Sequence, residues 1–397
     1  MFLFFRQDPD LIRQSFNRKA GLTGLLLAVV VLSPAPDLKL PSLPGFFKRA
    51  GNDLQETVQA PTGPGAMCVL PSGDYVISCH QFFYPTYRVM RLDSKEGWMP
   101  FPNIEMNTPG SAAPVILDSV LGVACDSRGI VWMLDNGRRS DTPPKLVAWD
   151  TKRNQLHQVI VINSQALSSR SFLRNLVLDP VDPFIYISDP ADGISSAIIV
   201  VNTATGLTRR VLQGHRSTQM EPNIVLELDG RSITVRRPDG ELATPLTGVS
   251  PIAIDRKGDW LYYGPRNGSS LFRIQTDLLQ RQDVSAAALE SQVSGVSPKP
   301  ICDSMIIDSK GRVYFGDISR GSIDYVSPED SFLNLRLLIQ DPRLIWPGGL
   351  IIAPDGNLHF FSNQLHRTSF FNGGKDVTAP PFSIFKARPL PATRFGF

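Results

Sequence analysis

Apolar positions in this chain fall into short paired runs, each pair joined by a tight polar turn. The pattern recurs as MCVLPSGDYVIS from Met67, GVACDSRGIVWMLD from Gly122, NLVLDPVDPFIYISD from Asn175, PIAIDRKGDWLYYG from Pro251, SMIIDSKGRVYFGD from Ser304 and GLIIAPDGNLHFFSN from Gly349. Runs of this length, rich in β-branched and aromatic residues and bounded by Gly, Asp and Pro, predict strands in hairpins. The turns centre on Gly73, Gly129, Asp182, Gly258, Gly311 and Gly356. Glycine suits such turns because it accepts positive φ without strain. Third strands follow at Tyr87–Asp93, Lys145–Asp150, Ser196–Asn202, Ser270–Gln275 and Ile323–Ser327, with weaker fourth strands at Gln158–Ile162 and Leu335–Ile339.

Successive turns lie about 45 to 75 residues apart, long enough for a four-stranded unit, and a two-stranded hairpin alone is marginal in water. Units stacked radially bury each other's faces, so the repeat predicts an all-β fold, a six-bladed β-propeller over residues 64–397. Pro381–Ala387 reads as the outer strand of the last blade. Either terminus can supply the strand that closes the ring. An additional alternating hairpin, Asn223–Gly240, either lies over one face of the propeller or extends a blade.

The N-terminus changes the picture. Arg13, Arg18 and Lys19 precede the apolar stretch Gly21–Leu32, and Ser33–Pro36 follow. Basic, then apolar, then small residues is the layout of a secretory signal, and the stretch is short for a bilayer span. Residues 1–35 are therefore expected to be a signal peptide or membrane anchor, and 36–63 an extended tether. The expected location is secreted, periplasmic or extracellular, with membrane contact only through this segment. A formal charge of +3, without a Lys/Arg run, argues against nucleic acid as a partner. Of four cysteines, Cys68 and Cys79 flank a turn and are candidates to bridge, whereas Cys125 and Cys302 read as buried thiols. The five histidines lack metal-ligand spacing, and no nucleophile elbow or phosphate loop occurs.

Three segments carry a resemblance: VWMLDNG with PPKLVAWD (Val131–Gly137, Pro143–Asp150), FIYISDPADGISSAIIVVN (Phe184–Asn202) and LIWPGGLIIAPDGNLHFFSNQLHR (Leu344–Arg367). In order and spacing, over roughly residues 60–390, the chain resembles the yellow/major royal jelly protein family. That resemblance implies a secreted six-bladed propeller whose members are tied to pigment chemistry, amine binding or nutrition. More distantly it is similar to the gluconolactonase/regucalcin propellers, which hold a divalent cation in the channel with a Glu, two Asn and an Asp.

Counting five residues back from the Asp, or its equivalent, that opens each D-x-x-G turn places Gly65, Leu121, Arg174, Ser250, Asp303 and Gly348 at the channel end of the inner strands. Carried over position by position, the lactonase Glu becomes Gly65, its Asn residues become Arg174 and Ser250, and Asp303 alone survives. A hard cation wants several oxygen ligands, and a guanidinium repels it. A metal is therefore not expected; if one binds, Asp303 is its ligand, Ca²⁺ or another divalent cation is disfavoured, and no other cofactor is implied. Two readings of the pair stay open: Asp303 meets a ligand amine and Arg174 a carboxylate or phenolate, or the two form a structural ion pair across a narrow channel. An isomerase using Asp303 as base is weakened by Arg174, which lowers the carboxyl pKa. Asn175, Trp346 and Asn363 complete the candidate ligand-binding set, with structural roles as their alternative. Asp135, Asp189 and Asp317 recur after second strands and read as turn-forming. The chain is expected to bind a small organic ligand, aromatic or amine-bearing; a metal-dependent lactonase and a purely structural propeller are the alternatives.

Overall fold

The computed structural model describes residues 54–236, 240–245 and 247–390; the expected signal or anchor segment lies outside them. Six four-stranded antiparallel sheets occupy residues 64–100, 120–161, 176–211, 249–298, 302–340 and 347–387, the last completed by Gln55–Ala60. In the first five blades the strands follow chain order. The first strand of each blade packs against the first strand of its neighbours, and Pro347–Ile352 packs against Pro64–Val69, so these strands line the axis and the ring is closed.

Two sequence-based boundaries move. The strand Gln55–Ala60 belongs to the propeller rather than to a tether, pairing with Phe382–Ala387. Phe382–Ala387 is accordingly the third strand of the last blade, and the N-terminal segment supplies the outermost one. Thr57 adds a hydroxyl hydrogen bond to the Ile384 carbonyl at 3.0 Å. Closure from both ends of the chain is the physical reason: hydrogen-bonding the N-terminal strand into the blade that ends the chain locks the last blade to the first.

Both faces of each sheet are buried, which is why the strands read as continuous apolar runs. Ile130, Trp132 and Leu134 pack toward the third blade, while Val131 and Met133 of the same strand pack toward the first. Each of the six interfaces between neighbouring blades holds such a cluster. The turns form as their residues require. Asp126 accepts from the Arg128 and Ile130 amides at 3.0 and 2.9 Å, with Gly129 at φ 91°. In the third blade Asp179 accepts from Val181 and Asp182 instead, so glycine is not needed there.

The same alternation overturns the Cys68–Cys79 bridge. Cys68 faces the second blade and Cys79 the last, and the four cysteines are free thiols. The described residues of the additional segment form two short strand pairs, Glu227–Leu228 with Arg231–Ser232 and Val235–Arg236 with Leu242–Ala243. Among the described residues these strands form two-stranded sheets of their own and join no blade. Leu226 and Ile233 bury themselves against Trp346, Leu365 and Phe371, covering one end of the channel.

Excising Gln55–Ala60 should lower the melting temperature and promote aggregation through the bared edge of Phe382–Ala387. Calorimetry and light scattering check this; an unchanged melt would contradict closure by this strand.

Candidate functional site

The inner strands of five blades share one irregularity. Register shifts fall between Pro64 and Met67, Val120 and Gly122, Val249 and Ile252, Cys302 and Met305, and Gly348 and Ile351. Bulges of this kind re-aim side chains, and Gly65, Leu121, Ser250 and Asp303 sit within them. In the third blade Arg174 and Asn175 precede the strand Leu176–Leu178, held by exchange with Ser188: the Arg174 amide donates to the Ser188 carbonyl at 3.0 Å, and the Ser188 amide to the Asn175 carbonyl at 2.9 Å.

These residues converge on Asp303, which is buried. Its Oδ2 accepts from Arg174 Nη2 at 3.0 Å and Trp346 Nε1 at 2.9 Å, its Oδ1 accepts from the Ser250 hydroxyl at 3.0 Å, and Arg266 Nη1 stands 3.8 Å from Oδ2. Asn175 Nδ2 donates to the main-chain carbonyls of Ser250 and Asp303 at 2.8 and 3.0 Å, tying three blades together. Asn363 takes no part in this cluster: its amide group donates to the Pro64 carbonyl at 3.1 Å and accepts from Leu365, linking the last blade to the first. Trp346 combines 1% exposure with φ 57°, a conformation a bulky side chain adopts only where its surroundings impose it.

Arg266 and His80 were not among the sequence candidates. Both follow directly on the second strand of a blade, as do Asn136, Ile318 and Asn363. In all five cases the amide of that residue donates to a carbonyl at or just before the inner strand. This is a second ring of channel-end positions, readable as the residue after each second-strand run. His80 is buried, its Nδ1 accepts from the Phe82 amide at 3.3 Å, and Nε2 has no hydrogen-bond partner among the described residues.

The electrostatics follow from this packing. Burial alone would raise the Asp303 carboxyl, but Arg174, then Arg266, outweigh it and hold it below its ordinary range. Burial lowers Arg266 to about 10 against the opposing pull of Asp303, so it remains charged at neutral pH. Burial, then Arg174, keeps His80 neutral, well below the usual imidazole range. Two guanidiniums thus face one carboxylate, which three protein donors already occupy. That donor-rich set does not fit a hard divalent cation, and among the described residues no three His, Cys, Asp or Glu side chains converge on a common point.

Over the cluster, Trp346 stacks on His366 (centroids 6.0 Å apart), and His366 Nε2 hydrogen-bonds Asp229 of the covering segment at 3.1 Å. At the root of the cover a cleft of about 340 Å³ opens, lined by Ile224, Val225, Lys299, Ile301, Asp317 and Arg320. Asp135, Asp189 and Asp317 accept main-chain amides in their blades. Asp317 neighbours Asp324, which burial, and then the Asp317 charge, push up to about 6.

A sequence profile described as "Major royal jelly protein" matches residues 118–390. "Major royal jelly protein 5" of Apis mellifera is 24% identical over 218 residues, which is 52% of this chain and 34% of that protein. The match therefore spans about a third of that relative's length. Among solved structures, XC5397 from Xanthomonas campestris, titled a gluconolactonase, aligns at TM-score 0.51 and 12% identity, covering 86% of this chain and 91% of that one. A luciferin-regenerating enzyme aligns at TM-score 0.52 and 10% identity, covering 86% and 96%. At such identities these two likenesses concern the fold alone.

Asp303→Ala should cost about 3–5 kcal/mol in denaturant unfolding, because it strands two buried guanidiniums; Trp346→Phe, which removes one hydrogen bond and part of a buried ring but leaves the charges paired, should cost less, about 1–3 kcal/mol. Equal losses would contradict the hub geometry. For Asp324 the folded carboxyl keeps its proton to higher pH than the unfolded one. Its ionisation penalty is therefore present above pH about 6 and relieved as pH falls toward about 4. Relative to Asp324→Asn, the wild type should gain stability between pH 7 and pH 5, read from the denaturant midpoint.

Proposed function

The chain belongs to the major royal jelly protein family, and from that premise we propose that it is a binding propeller that takes a small organic anion, a carboxylate or phenolate, at the covered end of its channel. The observation that carries this reading is the imbalance at Asp303. Arg174 and Arg266 are both buried and share a single carboxylate, while the neighbouring His80 keeps an unmatched N–H. Arg266 also donates to Thr247 and Asn267, so the excess is one of buried positive charge, which an acceptor bearing negative charge relieves. Trp346 and Phe371, each with the Arg266 guanidinium 5.7 Å from its ring centroid, supply an aromatic surface beside it. The cleft at the root of the cover has room for an apolar body and lies beside the cluster in the chain, with Ile301 on its wall two residues before Asp303, so a ligand reaches the buried charges only as the cover yields.

An amine-bearing ligand is a poorer match, since Asp303 spends both oxygens on Arg174, Trp346 and Ser250. The same saturation weakens an isomerase with Asp303 as base, because a carboxylate held below its ordinary pKa and fully hydrogen-bonded takes up a proton poorly. It also favours one rival: a channel plugged for stability, with function on the outer faces. The basic, apolar and small residues in order at 13–35 support an exported protein.

A thermal-shift and calorimetry panel of matched aryl carboxylates, catechols, aryl amines and Ca²⁺ separates these readings. Aryl carboxylates should raise the melting temperature, at 100 times Kd by an amount equivalent to about 2.7 kcal/mol. The matched amines and Ca²⁺ should leave it unchanged. Arg174→Lys, which keeps the charge but loses the planar fork, should weaken binding at least about tenfold. Stabilisation by amines alone, or by nothing in the panel, overturns the proposal.

A further inference from the structure

The layer between the first and second blades holds two thiols that the channel does not use. Cys68 lies on Pro64–Val69 and, by strand alternation, points with Leu70 and Val76 into that layer; Cys125, the last residue of Val120–Cys125, packs against the same cluster from the second blade. The Cys125 thiol donates to the carbonyl of Val69, the residue after Cys68, at 3.0 Å, so the two cysteines meet from neighbouring blades in one layer. Their differing exposure gives them different roles. Cys125 is half-buried and is therefore the one a reagent meets first, whereas Cys68 is buried. Cys79 and Cys302 are buried in other layers, between the last and first blades and between the fourth and fifth.

We propose that Cys68 and Cys125 are a latent redox pair, closing to a disulfide that staples the first blade to the second when the protein meets a small-molecule disulfide. The Cys125 thiolate attacks one sulfur of the reagent, forming a mixed disulfide and releasing one thiol. The Cys68 thiolate then attacks Cys125 Sγ and releases the second thiol. Two protein thiols are oxidised, the reagent is reduced to two thiols, and the two protons lost by the cysteines end on them. Burial raises the Cys68 thiol well above its ordinary value, so the second step is slow at neutral pH and faster in alkali.

The test incubates the full chain with oxidised glutathione, quenches in acid, unfolds it, alkylates the remaining thiols and digests it without reductant. A peptide linking Cys68 to Cys125, loss of two of the four alkylatable thiols, and a rise of several degrees in melting temperature reversed by reductant are the expected results. Cys125→Ser, at a partly exposed position, should fold and yield no linked peptide, while Cys79→Ser should still yield it. Retention of all four thiols, arrest at a Cys125–glutathione adduct, or a Cys68–Cys79 linkage would each overturn the proposal.

Discussion

A sheet that is apolar on both faces needs a neighbour on both sides, and a row of such sheets always ends with a bare face unless it bends into a ring. That requirement governs this molecule. Each of the six layers between blades is built from alternate residues of two adjacent sheets, and the layer between the last blade and the first contains Ile384, Phe382 and Ile77. The ring is locked by Gln55–Ala60 hydrogen-bonding along Phe382–Ala387. Everything at the axis depends on this, since Arg174 and Asp303 are 129 residues apart in sequence and meet only because the intervening fourth blade turns the chain through part of a circle.

At the axis, geometry converts a common ion pair into a charge imbalance. Asp303 is the carboxylate that both Arg174 and Arg266 reach among the described residues, and removal from water makes that shortage matter far more than it would at the surface. The hydrogen bonds that saturate Asp303 also organise the mouth: Ser250 comes from the fourth blade, Trp346 from the segment entering the last, and Asn175 from the third. The left-handed backbone of Trp346 and its stacking against His366 connect this polar hub to the cover, so burial of Leu226 and Ile233 and orientation of the Asp303 donors are parts of one packing arrangement.

Repetition explains both what reasoning from residues found and what it passed over. Counting back from the turns located the bulged channel-end positions because each blade repeats one hairpin geometry, and Asp135, Asp189 and Asp317 take up main-chain amides in the way their recurrence implied. The count covered only the inner strands. A second ring, His80, Asn136, Arg266, Ile318 and Asn363, begins one residue past each second strand and contributes the extra guanidinium and the unmatched imidazole N–H. Its register was legible in segments such as YYGPRNG, but the side chains at that position share no chemistry, so no residue-type pattern marked it.

Hydrophobic periodicity and turn chemistry are local, and they determined the number of blades, most strand positions and the near-neutral, repeat-built character of the chain, because each hairpin is specified within about fifteen residues. Partners distant in sequence were decided by the tertiary structure. Closure by residues 55–60, the packing of Leu226 and Ile233 over the channel, the face each cysteine chooses and the meeting of two arginines at one aspartate all depend on how whole blades stack. A strand's own pattern states that both its faces are buried, and only the assembled ring states against what.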